Sequence, residues 1–201
     1  MANKSIDSFV GEVRRLWKEH EEKGHPLDLR PPAAESAVAA FERKHRIKLS
    51  KEYRQFLLEL ANGGAWIHSL NDFEHRGTFK GIPGDFRKPF PHRRKWNLTA
   101  RQFASMPEEG IDDAGYAAFW KDYFRPNLID GAIPVCEGGC SRWYLLVVTG
   151  PGHGNVWIDE PGSEAGIFPA TNGRGRRLRF DEWYIAYLNY LLARKSVGWI
   201  V

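Results

Sequence analysis

The first third of the chain carries apolar residues at helical spacing. Over residues 5–22 an apolar side chain recurs at every third or fourth position and Gly24 follows, which predicts an amphipathic helix. Residues 38–64 predict two further helices separated by a short break. Ser50 is suited to begin the second of them, because its hydroxyl can accept a hydrogen bond from a free amide of the first turn. Asn-Gly-Gly at 62–64 should end it, since glycine enters the left-handed conformation without steric cost.

Shorter apolar runs separated by glycine turns dominate the second half, and they favour an antiparallel meander. Strands are expected over residues 66–70, 133–136, 142–148, 155–159 and 166–170. Further helices are expected over residues 99–105, 112–124 and 181–194, and residues 197–201 would form a last strand or a tail. Periodicity fades over residues 71–95, where glycine and proline predict a long loop with one short strand near 78–82. The whole pattern predicts an α+β fold, with helices packed on a mostly antiparallel (mixed) sheet.

Two blocks of this pattern resemble the SUKH superfamily, which contains the Smi/Knr-type cell-wall regulators and many bacterial immunity proteins. The first block consists of Phe41-Glu42 on an apolar helix, the step through Leu49, Tyr53 and Phe56, and Asn-Gly-Gly at 62–64. The second block consists of Ile133-Pro134-Val135, Glu137-Gly138-Gly139, the apolar run 143–148, the run 154–159, and Phe180-Asp181-Glu182-Trp183. The resemblance covers residues 33–64 and 130–194. It implies one SUKH-like domain over residues 1–201, with a family-variable insertion at about 71–127.

The resemblance also implies a function. It points to a non-enzymatic protein-binding module, and in bacteria the commonest role of the superfamily is immunity, in which the protein binds a cognate toxin and neutralises it. The alternative is a regulatory scaffold of the Smi/Knr kind, which binds a cellular protein partner. Two further interpretations stay open, a nucleic-acid-binding protein and, behind it, an enzyme.

Composition narrows the class of protein. The chain has 201 residues, of which 42% are hydrophobic and 27% are charged, and this is typical of a soluble globule with a sizeable core. Two cysteines are too few for a disulfide framework. The N-terminus carries no apolar signal region and no apolar run approaches membrane length, so a cytoplasmic protein without a membrane partner is expected.

The formal net charge of +4 is unevenly placed along the chain. Residues 86–96, here called the basic loop, read FRKPFPHRRKW and interleave cations with aromatic residues. We expect the partner-binding residues of this loop to be Arg87, Lys88, Arg93, Arg94, Lys95 and Trp96. Arginine and tryptophan are typical interface anchors, so an acidic surface on a toxin domain is the expected partner, with nucleic acid as the second choice. A solvated loop whose aromatic side chains enter the core also fits the pattern.

The other polar motifs predict no catalytic, metal or cofactor site. The second cationic segment, residues 174–179, precedes a helix where an anion could bind, but a solvated loop fits it better. Cys136 and Cys140 form a single pair, whereas a structural zinc site needs about four ligands, so they read as small residues beside a hairpin. His153 could face Cys136, but nothing in the sequence fixes it there. Residues 150–154 are followed by a strand and lack the helix that follows a phosphate-binding loop. Because none of these motifs forms a reactive or ligand-binding set, we expect neither an enzyme nor a cofactor.

Overall fold

The computed structural model describes residues 3–74 and 84–193. The helices are α1 (Asn3–Glu22), α2 (Glu35–His45), α3 (Lys51–Gln55), α4 (Ala100–Ala104), α5 (Asp113–Tyr123) and α6 (Phe180–Ala193). The strands are β1 (Ala132–Gly139), β2 (Arg142–Val147), β3 (Val156–Glu160) and β4 (Gly166–Pro169). The predicted helices and the four later strands are therefore confirmed. The short strand expected near 78–82 and the element expected at 197–201 lie outside the described residues.

The four strands form one sheet in the order β1-β2-β3-β4. Every neighbouring pair is antiparallel, with Leu145 of β2 opposite Trp157 of β3, so the predicted α+β class is confirmed. Trp96 exchanges two backbone hydrogen bonds of 2.8 Å with Ile167 and so covers the outer edge of β4. This pairing fixes the end of the basic loop to the sheet.

The predicted strand over residues 66–70 is wrong. Residues 66–70 form no strand, and Ile67 makes two isolated bridges, one to Gly64 and one to Cys136 at the outer edge of β1. The cause is local backbone geometry, because Trp66 has a left-handed φ of 68° and the amide of Ser69 donates to the Asp72 carboxylate at 3.1 Å. These two features turn the chain before a ladder can continue, and residues 67–70 are all buried, without the alternation of a strand.

One face of the sheet carries the first and last helices. α1 packs against α6, and the indole N–H of Trp17 donates to the Tyr184 hydroxyl at 3.0 Å. That hydroxyl donates in turn to the carbonyl of Ala65 at 3.1 Å. Phe56 lies edge-on to Tyr184 with ring centroids 5.3 Å apart. Aromatic contacts of this kind add to the stabilisation from apolar burial, so the helices are held over the sheet by a largely aromatic core.

The Asn-Gly-Gly motif ends the helix that begins after Ser50. The Ser50 hydroxyl accepts from the amide of Tyr53 at 3.4 Å, which confirms the predicted N-cap. Beyond α3 the helix continues as one π turn, Phe56–Leu60. Gly64 has a left-handed φ of 91°, and a Cβ there would collide with the backbone of Asp28. Glycine is therefore required where the end of this helix meets the segment that precedes α2.

The opposite face of the sheet is covered by the basic loop and the chain around it. Its apolar cluster consists of Phe90, Leu128, Ile129, Ala132, Trp143, Leu145, Val147, Trp157 and Ile167. α5 contacts this layer through Tyr123, whose ring centroid lies 5.5 Å from that of Trp96. The basic loop is thus part of a packed layer.

Candidate functional site

The aromatic residues of the basic loop point inward and hold the loop in place. Phe86 and Phe90 are buried, and Trp96 is half-buried. The Thr149 hydroxyl donates to the carbonyl of Phe86 at 2.6 Å, and the amide of Phe90 donates to the carbonyl of Thr149 at 2.9 Å. The imidazole Nε2 of His92 lies 2.7 Å from the carbonyl oxygen of Leu128. The loop is therefore fixed at several points along its length.

The cations at the start of the basic loop are paired with acids. Arg87 forms a two-pronged contact with Asp85, with Nε 2.8 Å from Oδ1 and Nη2 2.9 Å from Oδ2. This guanidinium lowers the pKa of the Asp85 carboxyl to about 2. Lys88 Nζ lies 3.9 Å from the Asp130 carboxylate. Arg87 and Lys88 thus already face carboxylates of their own chain.

The cations at the end of the loop lie next to the second cationic segment. Arg177 donates from Nη2 to the carbonyl of Arg93, and its guanidinium carbon lies 5.3 Å above the ring centre of Trp157. Lys95 Nζ lies 5.6 Å from the ring centre of Phe168. Across residues 3–74 and 84–193, no carboxylate lies within ion-pair distance of the following four exposed cations, here called the basic surface. They are Arg93, Arg94, Lys95 and Arg174.

The remaining arginines of the second cationic segment are engaged elsewhere. Arg176 donates to both carboxylate oxygens of Glu182, at 2.9 and 2.6 Å, and this pairing lowers the pKa of Glu182. Arg179 donates to Glu52 at 2.7 Å and so ties the start of α6 to α3. No bound anion needs to be invoked to explain these two residues.

A third group of cations was missed by the sequence prediction. Arg43, Arg46 and Lys48 border an open hollow of about 740 Å³ between the end of α2 and the turn after β2. The full lining, here called the cationic hollow, is Ala39, Glu42, Arg43, Arg46, Ile47, Lys48, Val148, Thr149 and Gly150. The signal was visible in the sequence as four cations within residues 43–48.

Two contacts bring the walls of the cationic hollow together. The imidazole Nε2 of His153 lies 2.7 Å from the carbonyl oxygen of Lys48, which joins the turn between β2 and β3 to the segment between α2 and α3. Gly150 lies against Pro89, so the hollow borders the basic loop. Glu42 is buried behind it and accepts a hydrogen bond from the amide of Leu49 at 2.9 Å.

An aromatic groove lies at a different place, beside α5. It measures about 540 Å³ and is lined by Tyr116, Ala117, Trp120, Phe124, Pro161, Gly162 and Glu164. Trp120 and Phe124 stack with ring centroids 5.5 Å apart. Sequence reasoning assigned this helix to a variable insertion and did not identify the groove.

The cysteine pair lacks the geometry of a reactive site. Cys136 is fully buried, and burial raises the pKa of its thiol to about 12. Its sulfur lies 3.6 Å from the carbonyl oxygen of Glu137, while His153 is directed at Lys48. Within residues 3–74 and 84–193, no group of three or more histidine, cysteine or acidic side chains could hold a metal ion. Among the helices of that part of the chain, none has the length and hydropathy needed to cross a membrane.

Comparison with known families agrees with the fold. A model of the SMI1/KNR4 family (SUKH-1) matches residues 32–172, well over half of the chain. The chain belongs to the SMI1/KNR4 family. The SMI1/KNR4 match includes the cationic hollow and the basic loop, whereas α1, α6 and Arg174 lie outside it. No curated protein matches the chain in sequence.

Proposed function

We propose that this SMI1/KNR4 protein is a non-enzymatic protein-binding module, and that it is an immunity protein which neutralises a bacterial toxin by covering an acidic surface of that toxin. The single observation that carries the proposal is the meeting of two distant cationic segments at the contact between Arg177 and Arg93. It brings the exposed Arg93, Arg94 and Lys95, which have no acidic neighbour among the described residues, next to the hairpin of residues 171–177, whose tip carries the exposed Arg174.

The fixed backbone of the basic loop supports this proposal. Phe90 pairs with Thr149, and Trp96 pairs with Ile167, so the charged side chains between them project from an ordered strip of chain. Binding then orders fewer residues, and the entropy lost on association is smaller. A steric block of this kind buries on the order of 1,600 Å² in total.

The same geometry favours an acidic protein over nucleic acid. Single-stranded nucleic acid is bound where exposed aromatic rings stack on bases. In the basic loop as the structure describes it, Phe86 and Phe90 are buried and Trp96 packs against Tyr123. The loop therefore offers charge without a stacking platform. Charge complementarity with a carboxylate-rich surface speeds association and excludes wrong partners.

Growth rescue tests the proposal. The protein should be co-expressed with the product of the neighbouring gene, and we expect it to restore growth where that product alone is toxic, and to co-purify with it. The double variant Arg93→Ala with Arg94→Ala should lose rescue and keep its melting temperature, whereas Lys121→Ala on α5 removes one exposed cation and should rescue normally. Absence of both rescue and complex would contradict immunity. A stable complex with a non-toxic cellular protein would instead favour a regulatory scaffold.

A further inference from the structure

The cationic hollow carries charges that have no ion-pair partner in the part of the chain that the structure describes. Arg43, Arg46 and Lys48 are exposed, and no acid among the described residues lies within ion-pair distance of any of them. Glu42 also lines the hollow, but it is buried and directed at the amide of Leu49 and at Arg54. The hollow therefore presents three cations around one concavity, and none of them is neutralised by an acid of residues 3–74 or 84–193.

Helix electrostatics act on the first two of these cations. Arg43 lies in the last turn of α2, where a positive side chain interacts favourably with the helix dipole. Arg46 follows the helix in a left-handed conformation, with φ 54° and ψ 43°. This is the position at which glycine is usually found, and a larger L-residue is disfavoured there. The helix dipole also favours a positive charge at Arg46, but the left-handed conformation favours glycine more strongly. A role in binding therefore explains this arginine better than the fold does.

The floor of the hollow differs from its rim. Ala39, Ile47 and Val148 contribute apolar surface beneath the cations. An apolar floor with a cationic rim matches a peptide that carries an apolar side chain between carboxylates, because the apolar group leaves water while each acid meets a cation. None of the nine residues described as lining the hollow is aromatic, so nucleic-acid bases would find no ring to stack on.

We propose that the cationic hollow binds an acidic segment of a protein partner, with Arg43, Arg46 and Lys48 contacting its carboxylates and the apolar floor accepting an intervening aliphatic side chain. This rests on the proposed function in that the segment would belong to the neutralised toxin. It adds a second contact region, which is separate in sequence from the basic surface and whose cations all lie outside the basic loop.

The test uses the full chain and two synthetic peptides of equal negative charge. One is oligoglutamate, and the other has leucines inserted between the glutamates. Both peptides should bind the protein at about 0.1 M salt. The leucine-containing peptide should bind about tenfold more tightly, because its aliphatic side chains are removed from water. Amide chemical shifts should change around residues 43–50 and 148–151.

Arg46→Gly separates a binding role from a structural one. Glycine suits the left-handed conformation, so this variant should melt no lower than the parent while its affinity for the leucine-containing peptide falls about fivefold. Lys121→Ala is the control of equal charge change and should bind as the parent does. Unchanged affinity in Arg46→Gly, or a lower melting temperature, would overturn the proposal. Tighter binding of a single-stranded oligonucleotide than of either peptide would overturn it as well.

Failure here and failure of the immunity role give different results. If the toxin is captured and Arg46→Gly still binds and rescues fully, the hollow is not part of the interface and the immunity role stands. If no toxin is found but the peptides bind as expected, the hollow stands as an acidic-peptide site and the immunity role is wrong.

Discussion

Glu42 should stabilise the turn that carries the cationic hollow. Its carboxylate Oε1 accepts from the amide of Leu49 at 2.9 Å, and its Oε2 lies 3.7 Å from Nε of Arg54. Both Glu42 and Leu49 are buried. Replacement by leucine keeps a similar side-chain volume but removes the acceptor, so the Leu49 amide is left without a partner away from water.

The expected loss follows from the cost of an unpaired buried donor. Removing one partner of a buried hydrogen bond costs about 1–3 kcal/mol. In a chain of this length each kcal/mol corresponds to about 2–4 °C in melting temperature, so a loss of about 2 kcal/mol, the middle of that range, should lower the melting temperature of Glu42→Leu by about 4–8 °C. Glu42→Gln keeps an acceptor oxygen and should lose at most about 1 kcal/mol.

Urea unfolding with amide hydrogen exchange measures both effects. Glu42→Leu should lower the midpoint and accelerate exchange of the Leu49 amide, and Glu42→Gln should stay near the parent on both. Equal losses in the two variants would show that the negative charge near Arg54, and not the bond to the amide, stabilises the turn. Parent-like stability of Glu42→Leu would refute the reasoning altogether.

Three further changes test other parts of the structure. Arg177→Ala should lower the unfolding free energy by about 1 kcal/mol and speed proteolysis within the basic loop, because it removes the bond to the Arg93 carbonyl and the contact with Trp157. Arg177→Lys should restore little of this loss, because lysine lacks the planar guanidinium group. Gly64→Ala should lower the unfolding free energy by about 3 kcal/mol or more in urea, because the position has a left-handed φ and no room for a Cβ. Burial lowers the pKa of His20, so the unfolded chain binds a proton more readily than the folded one. The unfolding free energy of the parent should therefore fall as the pH drops below about 6.5, and it should fall less steeply in His20→Gln.

The histidine prediction has a defined structural setting. His20 is fully buried, with Nε2 3.0 Å from the Leu188 carbonyl oxygen and Nδ1 2.8 Å from Nδ1 of His25. Lys23 and Glu19 of the same helix also act on it, the lysine lowering and the glutamate raising its pKa. Circular-dichroism melts across the acid range give the slope, and a slope identical in the parent and in His20→Gln would contradict this assignment.

Local patterns predicted most of the elements because they depend on neighbours in sequence. The Ser50 cap is an example, since its bond to the Tyr53 amide spans three residues. The prediction for residues 66–70 failed because the backbone conformation there overrides the side-chain pattern. Alternation there predicted a strand, but the bond from the Ser69 amide to Asp72 and the left-handed Trp66 turn the chain first.

The candidate site could be predicted only in fragments. The sequence identified the cations of the basic loop, but not which of them face an acid. That depends on local contacts, such as Arg87 with Asp85, and on distant ones, such as Lys88 with Asp130. The hollow could not be foreseen, because residues 43–48 meet residues 148–150 only after the sheet forms. The meeting of Arg93 with Arg177 likewise depends on tertiary packing.

Hydrogen exchange of the complex with the co-purified toxin tests the central claim most directly. The account predicts slower amide exchange in the bound protein over residues 43–50, 93–96 and 172–177, and little change in α5. Slowing centred on Tyr116 and Trp120 in the aromatic groove, with none at the cationic residues, would contradict it.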